Sequence, residues 1–144
     1  MKIEFKTMKK RPDFETLAKK NFEFLVKGYG FVQTAATPDL IRYTSKEIVI
    51  DVTYSERHEV DVIIDENPPA NRLGNARFQL FLFLKAFYPE MEKTLNKTLN
   101  YGIADTDEEV EIVLKQLSDV LQQYGKPILQ HDKQVFDEMK AFRW

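Results

Sequence analysis

The chain contains no cysteine. A disulfide framework, a thiolate nucleophile and cysteine metal ligation are therefore excluded, and the absence fits a reducing compartment. Histidine is almost as scarce. Only His58 and His131 exist, far apart in sequence, and each reads as an ordinary loop or surface residue. His58-Glu59 opens like a zinc-protease string, but Val62 stands where the second histidine belongs. Glycine is limited to five positions and builds no Gly-x-Gly-x-x-Gly or phosphate-binding loop. Gly28-Tyr29-Gly30 lacks the third glycine and precedes a strand signal rather than a helix. None of the three serines lies in a Gly-x-Ser-x-Gly elbow. The usual nucleophile, base and ligand spacings are missing, so neither catalysis nor a cofactor is expected.

Long hydrophobic runs are missing too. The most apolar stretch, Phe78 to Tyr88, is broken by Gln79 and Lys85 and is too short to span a bilayer. No apolar segment follows the basic residues of Met1 to Lys6, so no secretory signal is expected. These features predict a soluble, cytoplasmic protein without a membrane partner. The net charge of −2 lacks the basic excess of a general nucleic-acid binder, so no nucleic-acid partner is expected. The charge is nevertheless unevenly spread. Residues 38–71 set eight acidic groups against three basic ones, whereas residues 1–37 set eight basic against four acidic. Such blocks bear on the choice of partner.

What is present is core-forming material. Hydrophobic residues make up 43% of the 144, with 11 Phe and 6 Tyr, a globular composition. A chain of this length supports one core that buries roughly 70% of the unfolded surface. No internal stretch resembles a linker, so residues 1–144 read as one domain.

The pattern predicts an α+β fold. A first helix is expected from about Asp13 to Lys27, with Phe14, Leu17, Ala18, Phe22, Leu25 and Val26 near helical spacing and Gly28-Tyr29-Gly30 at its end. The basic run Lys9-Lys10-Arg11 before it reads as a solvated segment. Strands are expected at Phe31–Thr37, Leu40–Ser45, Glu47–Tyr54 and Glu59–Asp65, forming an antiparallel sheet of three to four strands with one wet face. Asn67-Pro68-Pro69 should stop the sheet. A C-terminal helical layer follows. Ala76 to Tyr88 is apolar nearly all round and predicts a central helix; Pro89 restarts a short one. Thr106-x-x-Glu109 is a capping box that opens a stripe of Val110, Val113, Leu114, Leu117, Leu121 and Tyr124, closed by Gly125. Pro127 should open a single last helix carrying Ile128, Val135, Phe136, Met139 and Phe142.

One constellation invites a functional reading. Alternation puts Glu47, Val49, Asp51, Glu59, Asp61, Ile63 and Asp65 on the wet face, with Glu56 in the connecting turn. Asp51 opposite Asp61 would cost sheet stability, and the register pairing Asp51 with Ile63 relieves it only partly. Arg42 is a candidate counter-cation. Three readings remain open: a solvated sheet face, a surface for a basic protein partner, and a divalent-metal site of a hydrolase or nuclease. Val49 and Ile63 among the charges favour the protein interface, where apolar anchors sit amid polar groups. The sequence leaves self-association undecided.

Two stretches carry a family resemblance. Phe22-Glu23-Phe24-Leu25 through Tyr29-Gly30-Phe31, then Arg42-Tyr43-Thr44-Ser45 and Ile48 to Tyr54, resemble the start of many short bacterial proteins. Leu121-Gln122-Gln123-Tyr124-Gly125 leading to Ile128-Leu129-Gln130-His131-Asp132 and Phe136 is similar to their C-terminal helix pair. Several such proteins are regarded as immunity proteins of polymorphic-toxin or contact-dependent inhibition systems. The resemblance implies stoichiometric neutralisation of a cognate protein toxin, often a nuclease, whose basic surface an acidic face would meet.

Overall fold

Asp13 starts the first helix, its carboxylate accepting the backbone N–H of Thr16. The computed structural model describes residues 11–67 and 76–141. Helix α1, Phe14–Tyr29, buries Phe14, Ala18, Phe22 and Leu25 on one stripe. It stops at Gly30, whose φ of 72° lies in the left-handed region that glycine adopts without a Cβ penalty. Val26, expected on the buried stripe, stays 43% exposed because it falls one residue past Leu25 and turns outward. Lys9 and Lys10 lie outside the described residues.

Among the described residues the sheet is a five-stranded antiparallel meander, where three to four strands were expected. Strands β1 (Val32–Thr37), β2 (Leu40–Thr44), β3 (Ile48–Tyr54) and β4 (Val60–Glu66) pair in chain order. The addition is β5, Arg77–Gln79, which joins the outer edge of β4 with Ile64 opposite Phe78. The central helix expected from Ala76 therefore begins only at Leu80, as α2, Leu80–Phe87. The backbone of β4 offers a row of hydrogen-bonding groups, and an extended segment beside it satisfies them. Phe78 meanwhile reaches the core with no exposed surface. Pro68 and Pro69, expected to stop the sheet, lie outside the described residues, and β4 ends at Glu66.

Alternate residues of the strands fill one face. Ile41, Tyr43, Ile50, Val52, Tyr54, Val62, Ile64 and Phe78 are all buried there with α1, α2 and the long helix Asp107–Tyr124. Each such side chain contributes about 1.5–3 kcal/mol on burial. Helix α2 buries Leu80, Phe83 and Leu84, while Phe81, Leu82, Ala86 and Phe87 are half-buried, in keeping with an apolar helix covered on several sides. Helix α3, Pro89–Thr98, follows at once. A tight turn then passes through Asn100, Tyr101 and Gly102, with φ of 51°, 58° and 87°.

Helix α4, Asp107–Tyr124, has the reciprocal capping box that the sequence predicts. Thr106 accepts the Glu109 N–H at 3.1 Å, and the Glu109 carboxylate accepts the Thr106 N–H at 3.2 Å. Lys20 pairs with Glu111 at 2.6 Å, and Ser118 Oγ donates to the Asn21 carbonyl at 2.6 Å, locking α4 to α1. The expected last helix is two short ones, α5 (Lys126–Leu129) and α6 (Lys133–Met139). His131, at φ 50°, breaks the run, and Asp132 caps the second piece by accepting the N–H groups of Gln134 and Val135. Phe142 lies outside the described residues. Among the described residues, no helix is long and apolar enough to cross a membrane.

Candidate functional site

Strand alternation puts Arg42, Val49, Asp51, Thr53, Asp61, Ile63 and Asp65 on the sheet face away from the helices, joined by Arg77 and Gln79 of β5. The register sets Asp51 opposite Ile63 and Asp61 opposite Thr53, so no two carboxylates stand directly opposed. That register avoids the like-charge cost of the alternative.

The face is not a field of solvated acids. Asp51 is buried, 6% exposed, where a wet carboxylate was expected. The Arg42 guanidinium grips it through Nε–Oδ1 at 2.8 Å and Nη2–Oδ2 at 3.0 Å, and that bond raises the Arg42 pKa. Asp65, also expected to be free in solvent, is half-buried and takes an ion pair from Arg77 at 2.7 Å. Asp61 is half-buried as well. It accepts Gln79 Nε2 at 2.6 Å and the Val62 N–H at 2.8 Å. Burial pushes its pKa up to about 6, against the lowering effect of those two hydrogen bonds and with a small further rise from Glu59. Val49 and Ile63 are half-buried between these groups. Two arginines and one glutamine thus compensate three aspartates.

His131 is likewise more than a surface loop residue. Its Nδ1 meets Glu47 at 2.5 Å and its Nε2 meets Glu66 at 2.8 Å, while its ring lies edge-on to Phe136 at 4.7 Å. This arrangement clamps the α5–α6 junction onto the β2–β3 turn and the end of β4. Both nitrogens are taken. Among the described residues, no group of three His, Asp or Glu is arranged to hold a metal ion.

Unpaired carboxylates gather elsewhere, at the end of the sheet where β3 turns into β4. Glu56 and Glu59 are exposed, and among the described residues neither carboxylate takes a hydrogen bond or an ion pair, although the Glu59 backbone exchanges hydrogen bonds with Ser55. The turn abuts the chain that leads into α4. Glu59 forms an isolated bridge with Ile103, the Ala104 N–H donates to the His58 carbonyl at 2.8 Å, and Tyr54 Oη donates to the Ala104 carbonyl at 2.5 Å. His58 stacks on Tyr54 and holds Asp105 at 2.6 Å. Asp107 and Glu108 follow in the first turn of α4, and Asp107 accepts the Asp13 N–H at 2.8 Å. Arg11 is the counterweight. It pairs with Asp39 at 2.9 Å, donates to the carbonyls of Tyr54 and Ser55, and lies over the Tyr54 ring.

Two large apolar side chains stand in this acidic rim, Tyr101 at 62% and Ile103 at 42% exposure. Neither residue lies in a motif or a periodic stripe that would single it out. Tyr101 is displayed by consecutive left-handed residues, a backbone costing about 1 kcal/mol or more per non-glycine position. Of the residues expected in the site, Glu56 and Glu59 lie in this rim. Val49, Asp51, Asp61, Ile63 and Asp65 form the charge-paired face, and Glu47 belongs to the His131 clamp. No family model, curated protein or solved structure matches this chain.

Proposed function

We propose that this chain is a binding protein of the immunity type, which neutralises a cognate protein toxin with a basic surface by stoichiometric association in the cytoplasm. The observation that carries the reading is that the Glu56 and Glu59 carboxylates have no partner among the described residues and stand beside Asp105, Asp107 and Glu108, with Tyr101 and Ile103 exposed among them. Charged groups around apolar anchors are the make-up of a protein interface, and tyrosine is a frequent energetic anchor there. Val49 and Ile63, with the paired aspartates, lie further along the same two strands, away from the turn. No catalytic step enters the proposal. The alternative, a metal-dependent hydrolase or nuclease using the strand carboxylates, loses support because Asp51 is held by Arg42, Asp61 by Gln79 and Asp65 by Arg77.

The test begins with whether a toxin domain is encoded beside this chain, its absence counting against the reading, and proceeds to growth protection against that domain paired with association kinetics on the two purified proteins. Replacing Glu56, Glu59 and Glu108 by lysine should slow association and abolish protection while the fold stays intact, because all three are exposed. Raising salt from about 50 to 200 mM should slow wild-type association several-fold and the variant far less. Full protection by the folded variant would remove this rim from the mechanism.

A further inference from the structure

The opposite border of the sheet raises an independent question. Among the described residues, β1 pairs only with β2, so its outer row of backbone N–H and C=O groups lacks a strand neighbour. Solitary proteins commonly guard such an edge with lysine, proline, inward charge or a β-bulge. Strand β1, Val32-Gln33-Thr34-Ala35-Ala36-Thr37, carries no charge and no proline, and all of it but Ala35 is exposed. Of those guards it has the irregularity alone, a register shift between Gln33 and Ala35, which leaves Ala36 and Thr37 in regular register with β2. Beside it runs an open groove of about 620 Å³, walled by Lys19, Lys20, Glu23 and Val26 of α1 and by Phe31 and Val32, with Lys20 already engaged by Glu111. Val26 and Val32 are 43% and 62% exposed there.

We propose that this edge is an interface between two copies of the chain, β1 pairing antiparallel with β1 across a two-fold axis. Five strands would become a continuous sheet of ten. A two-fold interface must be complementary to itself, with each patch meeting its own image. The edge meets that condition in two ways. The strand is uncharged, so opposing it to its copy brings no like charges together. The helix rim above it carries both signs one turn apart: among the described residues Lys19 pairs with Glu15 at 3.0 Å and Glu23 with Lys27 at 2.9 Å, all within the same helix. A two-fold normal to the sheet between the two strands reverses β1 against its copy and sets the α1 helices antiparallel on the same side. Glu23 of one copy then faces the Lys19 turn of the other, and Val26 and Val32 close over the groove. A rim of one sign would repel its own image and point to a foreign strand instead.

The experiment is light scattering and sedimentation equilibrium on the full chain over about 10–200 µM, a range that reports micromolar dissociation constants. The expected result is a species of twice the 17.0 kDa chain mass. Thr34→Lys with Ala36→Lys, both exposed positions, should give a folded monomer by circular dichroism. Glu23→Lys alone should weaken the dimer about tenfold, and mixing it with Lys19→Glu chains should restore a mixed dimer. That rescue separates self-pairing from a non-specific sticky edge. A monomeric wild type, a dimer indifferent to the edge lysines, or failure of the charge swap to restore association would each overturn the proposal.

Discussion

Arg42 holds Asp51 from the neighbouring strand through two parallel hydrogen bonds, yet 45% of the arginine side chain and only 8% of the aspartate side chain meet solvent. The two partners therefore respond differently to removal. Arg42→Ala strands a buried carboxylate and should cost about 2–4 kcal/mol by urea denaturation. Arg42→Thr combined with Asp51→Val leaves no charge behind and should recover most of that loss. A double variant as unstable as Arg42→Ala would show that the packing of the arginine stem, not the stranded charge, sets the cost.

Asp61 gives a pH dependence of the opposite sign from an ordinary ion-paired acid. Its folded pKa of about 6 lies above the 3.8 of a free side chain, so the fold prefers the protonated form. The stability from this group is fully present below about pH 4 and is lost as pH rises through about 6. Asp61→Asn keeps a neutral side chain at every pH. It should raise the midpoint of thermal unfolding at pH 8, by an amount equivalent to about 1–2 kcal/mol, and bring little or no gain at pH 4. A gain that does not change with pH would contradict this.

His131 combines a bridging ring with a left-handed backbone, and two substitutions separate those roles. His131→Ala loses both carboxylate contacts and keeps the φ of 50°. His131→Gly loses the same contacts and relieves the strain, so it should be more stable than the alanine variant by about 1 kcal/mol. Both should open the α5–α6 junction and speed amide exchange in α6. Unchanged exchange there would mean that Phe136 and Met139 alone hold the segment.

Gly102 and Gly30 share a positive φ but not their surroundings. A Cβ on Gly30 meets nothing within 4 Å, whereas one on Gly102 comes within 2.7 Å of the Val60 carbonyl oxygen. Gly30→Ala should thus cost about 1 kcal/mol for the backbone alone. Gly102→Ala should cost about 2 kcal/mol or more, because the backbone of β4 must shift as well. Chemical denaturation of the pair measures the difference, and equal losses would contradict the close approach.

Some of this was legible in the residues. The capping box at Thr106 and the stripe from Val110 to Leu121 specify α4, because helix ends and helical periodicity are local properties. Alternation in β3 and β4 fixes which side chains share a face, and Arg42 could be named as a partner from its neighbouring strand. The segment at Arg77–Gln79 was hidden in an apolar run without period, whose extended state depends on the free edge of β4. That single misassignment concealed two of the groups that compensate the face, since Arg77 and Gln79 seemed to belong to a helix. The His131 clamp joins residues 47, 66 and 131, and Tyr101 is displayed by a turn with no sequence signature; neither is a local property.

The strand order also has a kinetic side. Each strand hydrogen-bonds the one next to it in the chain, so the sheet closes through short loops from β1 to β4. The clamp, by contrast, closes loops of 84 and 65 residues, from Glu47 and Glu66 to His131. Loop-closure entropy favours forming the meander first and seating the C-terminal helices last. Substitutions in the β3–β4 hairpin, such as Val62→Ala, should therefore slow refolding, whereas His131→Ala should leave refolding unchanged and accelerate unfolding. On a ribosome the same order lets the hairpins of the sheet pair before α6 has been synthesised. The half-finished chain would then spend its vulnerable interval with the apolar face of the sheet still waiting for α2 and α4.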